Sequence, residues 1–190
     1  MLNIVLVRPG CTDYDRQGRI QGTLDIPLCE QGRLEIDKVA ESLRAAGLEI
    51  IYCAPCESAR ESAELLGRML NVRVKPLEKL RNLDHGLWQG MLVEDVRTRQ
   101  PRVYRQWQEH PETVCPPSGE LVGDAQQRVQ AALAKLVRKH ADGKIAVVAP
   151  EPLAGIIKAE LLHRDLGDMW EGLSGGARCE WLEVGTPLSA

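Results

Sequence analysis

The sequence predicts a three-layer α/β/α sandwich built on a mainly parallel sheet, and three observations carry that prediction. Strand-like apolar runs alternate with stretches of helical periodicity along the chain. The first run, Asn3-Ile4-Val5-Leu6-Val7, is apolar on successive residues, as a strand buried on both faces must be. That run breaks at Arg8-Pro9-Gly10, and two later runs, Glu49 to Cys53 and Lys144 to Ala149, break at Ala54-Pro55 and Pro150-Glu151-Pro152. Strand ends in such a sheet gather on one edge, where open α/β sheets bind their ligands. A single crevice bounded by these three strand ends is therefore expected.

Taken in order, the residues from Asp15 to Leu28 are rich in glycine, proline and polar side chains without periodicity, and read as a long loop over the crevice. A helix follows Gly32, with Leu34, Ile36, Val39, Ala40 and Leu43 near helical spacing and Gly47 as its stop. Ser58 to Leu70 reads as the next helix, on Ala59, Ala63, Leu66 and Leu70, and Val72 to Val74 as a short strand. Leu77 to Gly90 is irregular, Glu94 to Trp107 helical with a break at Pro101, and Pro111 to Gly119 a proline-rich connection. Asp124 to His140 carries an apolar stripe of Ala125, Val129, Ala132, Leu133, Leu136 and Val137. A helix over Leu153 to Leu162 and an alternating strand over Ala177 to Val184 complete the pattern.

The 190 residues suit one domain spanning 1–190. At 44% hydrophobic and 27% charged the composition is that of a globular chain, so disorder is excluded, and no apolar run approaches the roughly 20 residues of a membrane span. A net charge of −3 argues against a nucleic-acid surface. The start reads as a strand and not as a secretion signal, and six cysteines without such a signal are expected as reduced thiols in the cytoplasm.

Several segments resemble the histidine phosphatase superfamily, also called the phosphoglycerate mutase-like family. Arg8-Pro9-Gly10-Cys11-Thr12 is similar to that family's R-H-G-E-T turn, and Gly18 to Leu28 with Glu30 and Gly32 to its G-R-x-Q-G-x-x-D-x-P-L-x-x-x-G. Tyr52, Pro55, Ala59 and Ala63 fit Y-S-S-P-L-x-R-A-x-x-T-A, Gly86 to Gly90 fits G-x-W-E-G, and Ser118-Gly119-Glu120 fits the G-E segment. The resemblance implies a phosphoglycerate mutase-like fold, with a helical insertion at about 91–120 that covers the site.

The resemblance also implies a histidine nucleophile, two arginines and a second histidine around the phosphoryl group, and a glutamate acid. In this chain those positions fall on Pro9, on Arg8 and Ser58, on Pro150 and on Asn82, so that Arg8 alone keeps the family's residue. Proline offers no nucleophilic side-chain atom, and asparagine cannot protonate a leaving group. Asp15 and Glu151 stand where the family has asparagine and glycine. A carboxylate about 4 Å from a phosphate charge would repel it by roughly 4 kcal/mol at an effective dielectric near 20. The expectation is a protein that is not an enzyme, a pseudophosphatase with no catalytic residues, serving as a binding, regulatory or structural subunit. Arg8, Cys11, Asp15, Gln21, His85, Trp88 and Glu120 are the candidates for lining its pocket. Residual phosphoryl transfer through displaced residues such as His85, Arg60 and Asp84 is the contrary reading.

The cysteines offer a different chemistry. Cys53-Ala54-Pro55-Cys56 is a C-x-x-C at a helix start, and Cys11 and Cys115 lie on segments that approach the same crevice. Cys11, Cys53, Cys56 and Cys115 could hold a metal or cluster, or act as a redox dithiol. The plain alternative is that they are small apolar residues of the core. No cofactor is otherwise expected. Packing is the ordinary role for Trp88, Trp107, Trp170 and Trp181, but Trp107 with Arg97, Arg99, Arg102 and Arg105 could instead dock an acidic protein partner. A protein partner or a homodimer is expected, with neither nucleic acid nor membrane.

Overall fold

The computed structural model describes residues 1–140, 142–171, 173 and 176–184. Its sheet has the order β3-β2-β4-β1-β5, where β1 is Leu2–Val7, β2 Ile50–Cys53, β3 Val74–Pro76, β4 Gly143–Val148 and β5 Cys179–Val184. The first four strands run parallel, and β5 is antiparallel to β1 at the edge. Ile4, Val5 and Val7 of β1 and Ile145 to Val148 of β4 are wholly buried, which is why these central strands need unbroken apolar runs.

Seven helices surround the sheet among the described residues: α1 (Asp13–Gln17), α2 (Glu30–Leu43), α3 (Glu57–Leu70), α4 (Val93–Arg99), α5 (Pro101–Glu109), α6 (Val122–Lys139) and α7 (Leu153–Leu162). The crossovers from β1 to β2 and from β2 to β3 move the same way along the sheet, so right-handed connections put α2 and α3 on one face. The return from β3 through α6 puts α6 on the other face, and α7 packs beside it. This is the expected α/β sandwich, with a mixed sheet through its antiparallel edge.

Register fixes the functional edge. Val7 lies opposite Val148, and Val148 opposite Cys53, so β1, β4 and β2 end in one line. Ala149 N–H donates to Val7 O at 3.0 Å and Ala54 N–H to Val148 O at 2.9 Å, which carries the ladder one residue past each end. Arg8-Pro9, Pro150-Glu151 and Ala54-Pro55 leave the sheet side by side.

Some boundaries differ from the sequence reading. The stretch read as a loop contains α1, a short polar helix held by a capping box. Thr12 Oγ1 accepts from Asp15 N–H, Asp15 accepts back from Thr12 N–H, and Gly18 closes the helix at φ 67°. Such a helix has no apolar face to reveal it. The third strand begins at Val74 instead of Val72, because Asn71 ends α3 in the left-handed region (φ 54°) and Val72 N–H returns to Gly67 O. Leu34 points to solvent, although α2 buries Ile36, Val39, Ala40 and Leu43 as expected.

Two devices hold the irregular segments. Arg128 of α6 grips Glu120 at 2.7 and 2.9 Å, and donates to the carbonyls of Lys79, Arg81 and Asn82 at 2.9, 2.7 and 3.2 Å. His85, Trp88, Trp107 and Trp170 form a buried aromatic cluster with ring centroids 5.4–6.0 Å apart, and Tyr104 stacks on Trp170 at 4.8 Å. The cluster ties α5 to the segment after β3.

Two glycines predict opposite signs. A Cβ on Gly32 would lie 2.2 Å from Cys11 O, whereas one on Gly123 would meet nothing within 4 Å. Gly32→Ala is expected to lower unfolding stability by about 2–3 kcal/mol, and Gly123→Ala to raise it by about 0.4–1 kcal/mol, in urea titrations. Burial lowers the His85 pKa to about 4, below the 6.5 of the unfolded chain. The unfolded state therefore binds more protons between these values, and stability present above pH 6.5 is lost as pH falls towards 4. The loss should reach up to about 3 kcal/mol and disappear in His85→Gln, as read by denaturation across that pH window.

Candidate functional site

The turn after β1 is held by backbone contact. A Cβ on Gly10 would lie 2.2 Å from Gly32 O, and Gly32 meets Cys11 in the same way, so residues 10–11 lie directly on the first turn of α2. Gly10 N–H donates to Ser62 Oγ of α3 at 3.1 Å, and Cys11 N–H to Glu35 Oε2 of α2 at 3.1 Å. Arg8 N–H continues the pairing of β1 with the edge, donating to Arg178 O at 2.9 Å. The result is a turn that buries the Arg8 side chain to 9% exposure.

A guanidinium so buried needs compensation, and Glu151 supplies it. Glu151 Oε1 lies 3.5 Å from Arg8 Nε and 3.6 Å from Arg178 Nη2, while Oε2 accepts from Gly155 N–H in the first turn of α7 at 3.0 Å. One carboxylate thus bridges two arginines and caps a ten-residue helix. Burial lowers the Arg8 pKa, and the Glu151 charge works against that shift. The Glu151 backbone is held too, because Asn82 Nδ2 donates to Glu151 O at 3.1 Å and to Gly22 O at 3.0 Å. Asn82 Oδ1 accepts from Leu83 N–H and Leu153 N–H at 2.9 and 3.3 Å. Its amide is therefore engaged as a brace between three segments. The Glu151-Pro152 peptide is cis.

The crevice above this pair is lined by Arg8, Pro9, Gly10, Asp15, Arg19, Gln21, Ser58, Pro150, Glu151 and Leu173. Its cavity volume is about 20 Å³, enough for about one water. Asp15 accepts from Thr12 N and Oγ1 at 2.7 and 2.8 Å; burial raises its pKa, and these hydrogen bonds work against the rise. Pro9 and Pro150 face each other's segments with no nucleophilic or basic atom on either side chain.

Of the pocket candidates, Arg8, Asp15 and Gln21 line the crevice, and Cys11, His85, Trp88 and Glu120 do not. His85 and Trp88 belong to the aromatic cluster; His85 is wholly buried and its Nδ1 is bonded to Leu83 O at 3.1 Å. Glu120 is turned towards Arg128 and Arg81, which hold its carboxyl below the usual range although burial pushes it up. Arg60 is exposed and Asp84 caps the Gly86 turn at 2.8 Å, so His85, Arg60 and Asp84 do not meet around a substrate. Trp107 is wholly buried and cannot anchor a partner.

The cysteine expectations need correction as well. Among the described residues no group of three or more His, Cys, Asp or Glu is placed to hold a metal ion, so Cys11, Cys53, Cys56 and Cys115 do not form the expected site. Burial pushes Cys53 up to about 12 and also raises Cys56, so the C-x-x-C thiols are protonated core groups. Cys115 is exposed, with its thiol near the Pro116 and Gly119 carbonyls at 3.6 Å. Cys11 Sγ instead faces Cys29 Sγ at 2.9 Å.

Sequence reasoning missed Arg178, Arg19 and Cys29. Arg178 reaches Glu151 in the crevice wall only because β5 runs antiparallel to β1, which no local pattern announces. The signal for Cys29 was the glycine pair Gly10 and Gly32, which brings its helix start against Cys11.

Comparison with known proteins places this geometry. The model of the "Histidine phosphatase superfamily (branch 1)" matches residues 4–185. Phosphoserine phosphatase 1 of Hydrogenobacter thermophilus is 30% identical over 170 residues, which cover 90% of this chain and 81% of that protein. Glucosyl-3-phosphoglycerate phosphatase of Mycobacterium tuberculosis is 28% identical over 189 residues, covering 95% and 84%. Among solved structures, Bacillus stearothermophilus YhfR superposes with a TM-score of 0.85 at 25% identity, covering 98% of this chain and 93% of that one. The mycobacterial glucosyl-3-phosphoglycerate phosphatase does so at 0.78 with 28% identity, covering 88% and 82%. These relatives overturn the expectation that the chain is not an enzyme, since those with a stated activity are named phosphatases and point to enzymatic activity. With a strand-end crevice at the expected edge, the family's turn at Arg8 and a family match over almost its whole length, the chain belongs to the histidine phosphatase superfamily, branch 1.

Proposed function

We propose that the crevice is a regulated binding site in which Glu151 stands as a built-in anion, and that the phosphate-ester hydrolysis its relatives' names point to runs here through water and not through a phosphohistidine. One observation carries the reading: the Glu151 carboxylate lies between Arg8 and Arg178, at 3.5 and 3.6 Å, on the first turn of α7. Two arginines and a helix start are what would bind an anionic ligand. Here the chain's own carboxylate occupies them, and an anion enters by displacing it.

The choice of nucleophile follows from the side chains present. A phosphohistidine needs an imidazole at the crevice, and none lines it among the described residues. The water-sized cavity beside Arg8 is bordered by Asp15 and Glu151, either of which can accept a proton from an attacking water. Arg8 and Arg178 supply the positive field that phosphoryl transfer relies on once the Glu151 carboxylate has moved off them. A protein gated in this way suits a binding or regulatory role, and its unpaired thiols support a cytoplasmic setting. No helix among the described residues is long and apolar enough to cross a membrane.

The test is phosphate and vanadate binding by the wild type and Glu151→Gln, followed by calorimetry and thermal shift. Glutamine keeps the shape and the contact to Gly155 N–H but removes the charge. Removing one repulsion of roughly 4 kcal/mol allows a gain in affinity of about a hundredfold or more, and wild-type binding should be weak. Equal affinity of the two proteins would overturn the gate. With p-nitrophenyl phosphate, turnover should fall at least tenfold in Arg8→Ala, and no phosphorylated histidine should be trapped. A histidine-linked phosphoryl group would sink the water route.

A further inference from the structure

We propose that Cys11 and Cys29 form a reversible disulfide, a redox-modification site that fastens the crevice loop to the start of α2. The two sulfurs are 2.9 Å apart. Their backbones are already joined, because Cys29 N–H donates to Cys11 O at 3.0 Å and Thr12 and Leu28 form an antiparallel bridge. Cys11 and Cys29 are the next opposite pair after that bridge. Opposite residues on antiparallel backbone have Cα atoms about 4.5–5.5 Å apart, inside the roughly 4.4–6.8 Å that a disulfide spans. The close approach of Gly10 to Gly32 holds the two segments in this register, so the bond requires little movement of the main chain.

Access separates the two thiols. Cys11 is 7% exposed, and burial followed by the neighbouring Cys29 thiol pushes it up to about 12, whereas Cys29 is half-buried at the cap of α2. Cys29 is therefore the sulfur that meets a hydroperoxide. Its sulfur is oxidised to a sulfenic acid as the O–O bond breaks, and one water is released when the oxidant is hydrogen peroxide. The Cys11 sulfur then displaces the hydroxyl; the S–S bond forms, the S–O bond breaks, and the thiol proton leaves with the hydroxyl as a second water. A dithiol reductant reverses the step by exchange.

The bond would close the segment that carries Asp15, Arg19 and Gln21, three of the residues lining the crevice. It acts on that wall whatever the crevice binds, and so stands apart from the reading of Glu151. Cys53 and Cys56 are both buried and are expected to stay reduced under mild oxidation.

The experiment treats the reduced, full chain with stoichiometric hydrogen peroxide and maps its peptides without reduction. The expected result is loss of two hydrogens in the intact mass and a Cys11–Cys29 cross-linked peptide that dithiothreitol removes. Oxidised wild type should melt about 5–10 °C higher than reduced, and amide exchange should slow over residues 12–28. Cys53→Ala should cross-link as the wild type does, while Cys29→Ser, checked for folding by circular dichroism, should show no shift. A Cys53–Cys56 link in place of Cys11–Cys29, or Cys29 oxidised to sulfinic acid with Cys11 still reduced, would overturn the proposal.

Discussion

The compensation of one buried charge organises this molecule. Arg8 leaves a central strand with its side chain 9% exposed, and an ion held away from water at that depth destabilises the fold unless an opposite charge is close. Glu151 provides that charge from the end of the neighbouring strand, and its own position depends on three further elements. Asn82 holds its carbonyl, Gly155 of α7 holds one carboxylate oxygen, and Arg178 shares the other with Arg8. Arg178 is in turn located by its carbonyl, which accepts from Arg8 N–H. The crevice is therefore an ion-pair network first and a ligand site second.

The other constraint is steric. Gly10 and Gly32 allow backbone to touch backbone, and that contact decides which side chains become neighbours. It puts Cys11 against Cys29, sets Cys11 N–H on Glu35, and leaves the loop from Thr12 onward to fold back over the sheet edge. Arg128 does for the opposite wall what the glycines do here, collecting three carbonyls of residues 79–82 so that Asn82 is aimed at Glu151.

What could be read from the sequence follows from these same forces. The ends of β1, β2 and β4 were legible because buried parallel strands are unbroken apolar runs and their exits are marked by proline or glycine. The α1 helix was not, being five polar residues held by a cap and lacking any periodic face. Arg8, Asp15 and Gln21 could be placed near the crevice because they follow a strand end directly or lie in the loop beside it. Arg178 could not, since its contact with Glu151 depends on the register of an antiparallel edge strand. His85 misled because its irregular surroundings suggested the crevice, whereas Trp107 takes the packing role expected of it, and both rings are buried in one cluster with Trp88 and Trp170. For Cys53 and Cys56 the plain alternative of core residues holds: C-x-x-C spacing says nothing about depth, and depth keeps those thiols protonated.

The charges at the crevice limit what can occupy it. Arg8, Arg19 and Arg178 stand against Glu151 and Asp15, three cations against two anions, so the carboxylates cancel most of the positive charge of the resting site. A phosphate dianion brought to such a site meets repulsion that offsets much of the attraction, unless it arrives with its own cation or moves a carboxylate away. Of the two carboxylates, Asp15 is the harder to move, because its Oδ2 accepts two short hydrogen bonds in the cap of α1. Glu151 has ion pairs at 3.5 and 3.6 Å and one hydrogen bond to a helix start, contacts that an incoming anion can replace one for one. Displacement thus falls on Glu151, and the geometry of the ion pair that stabilises the fold becomes the feature that decides which ligands enter.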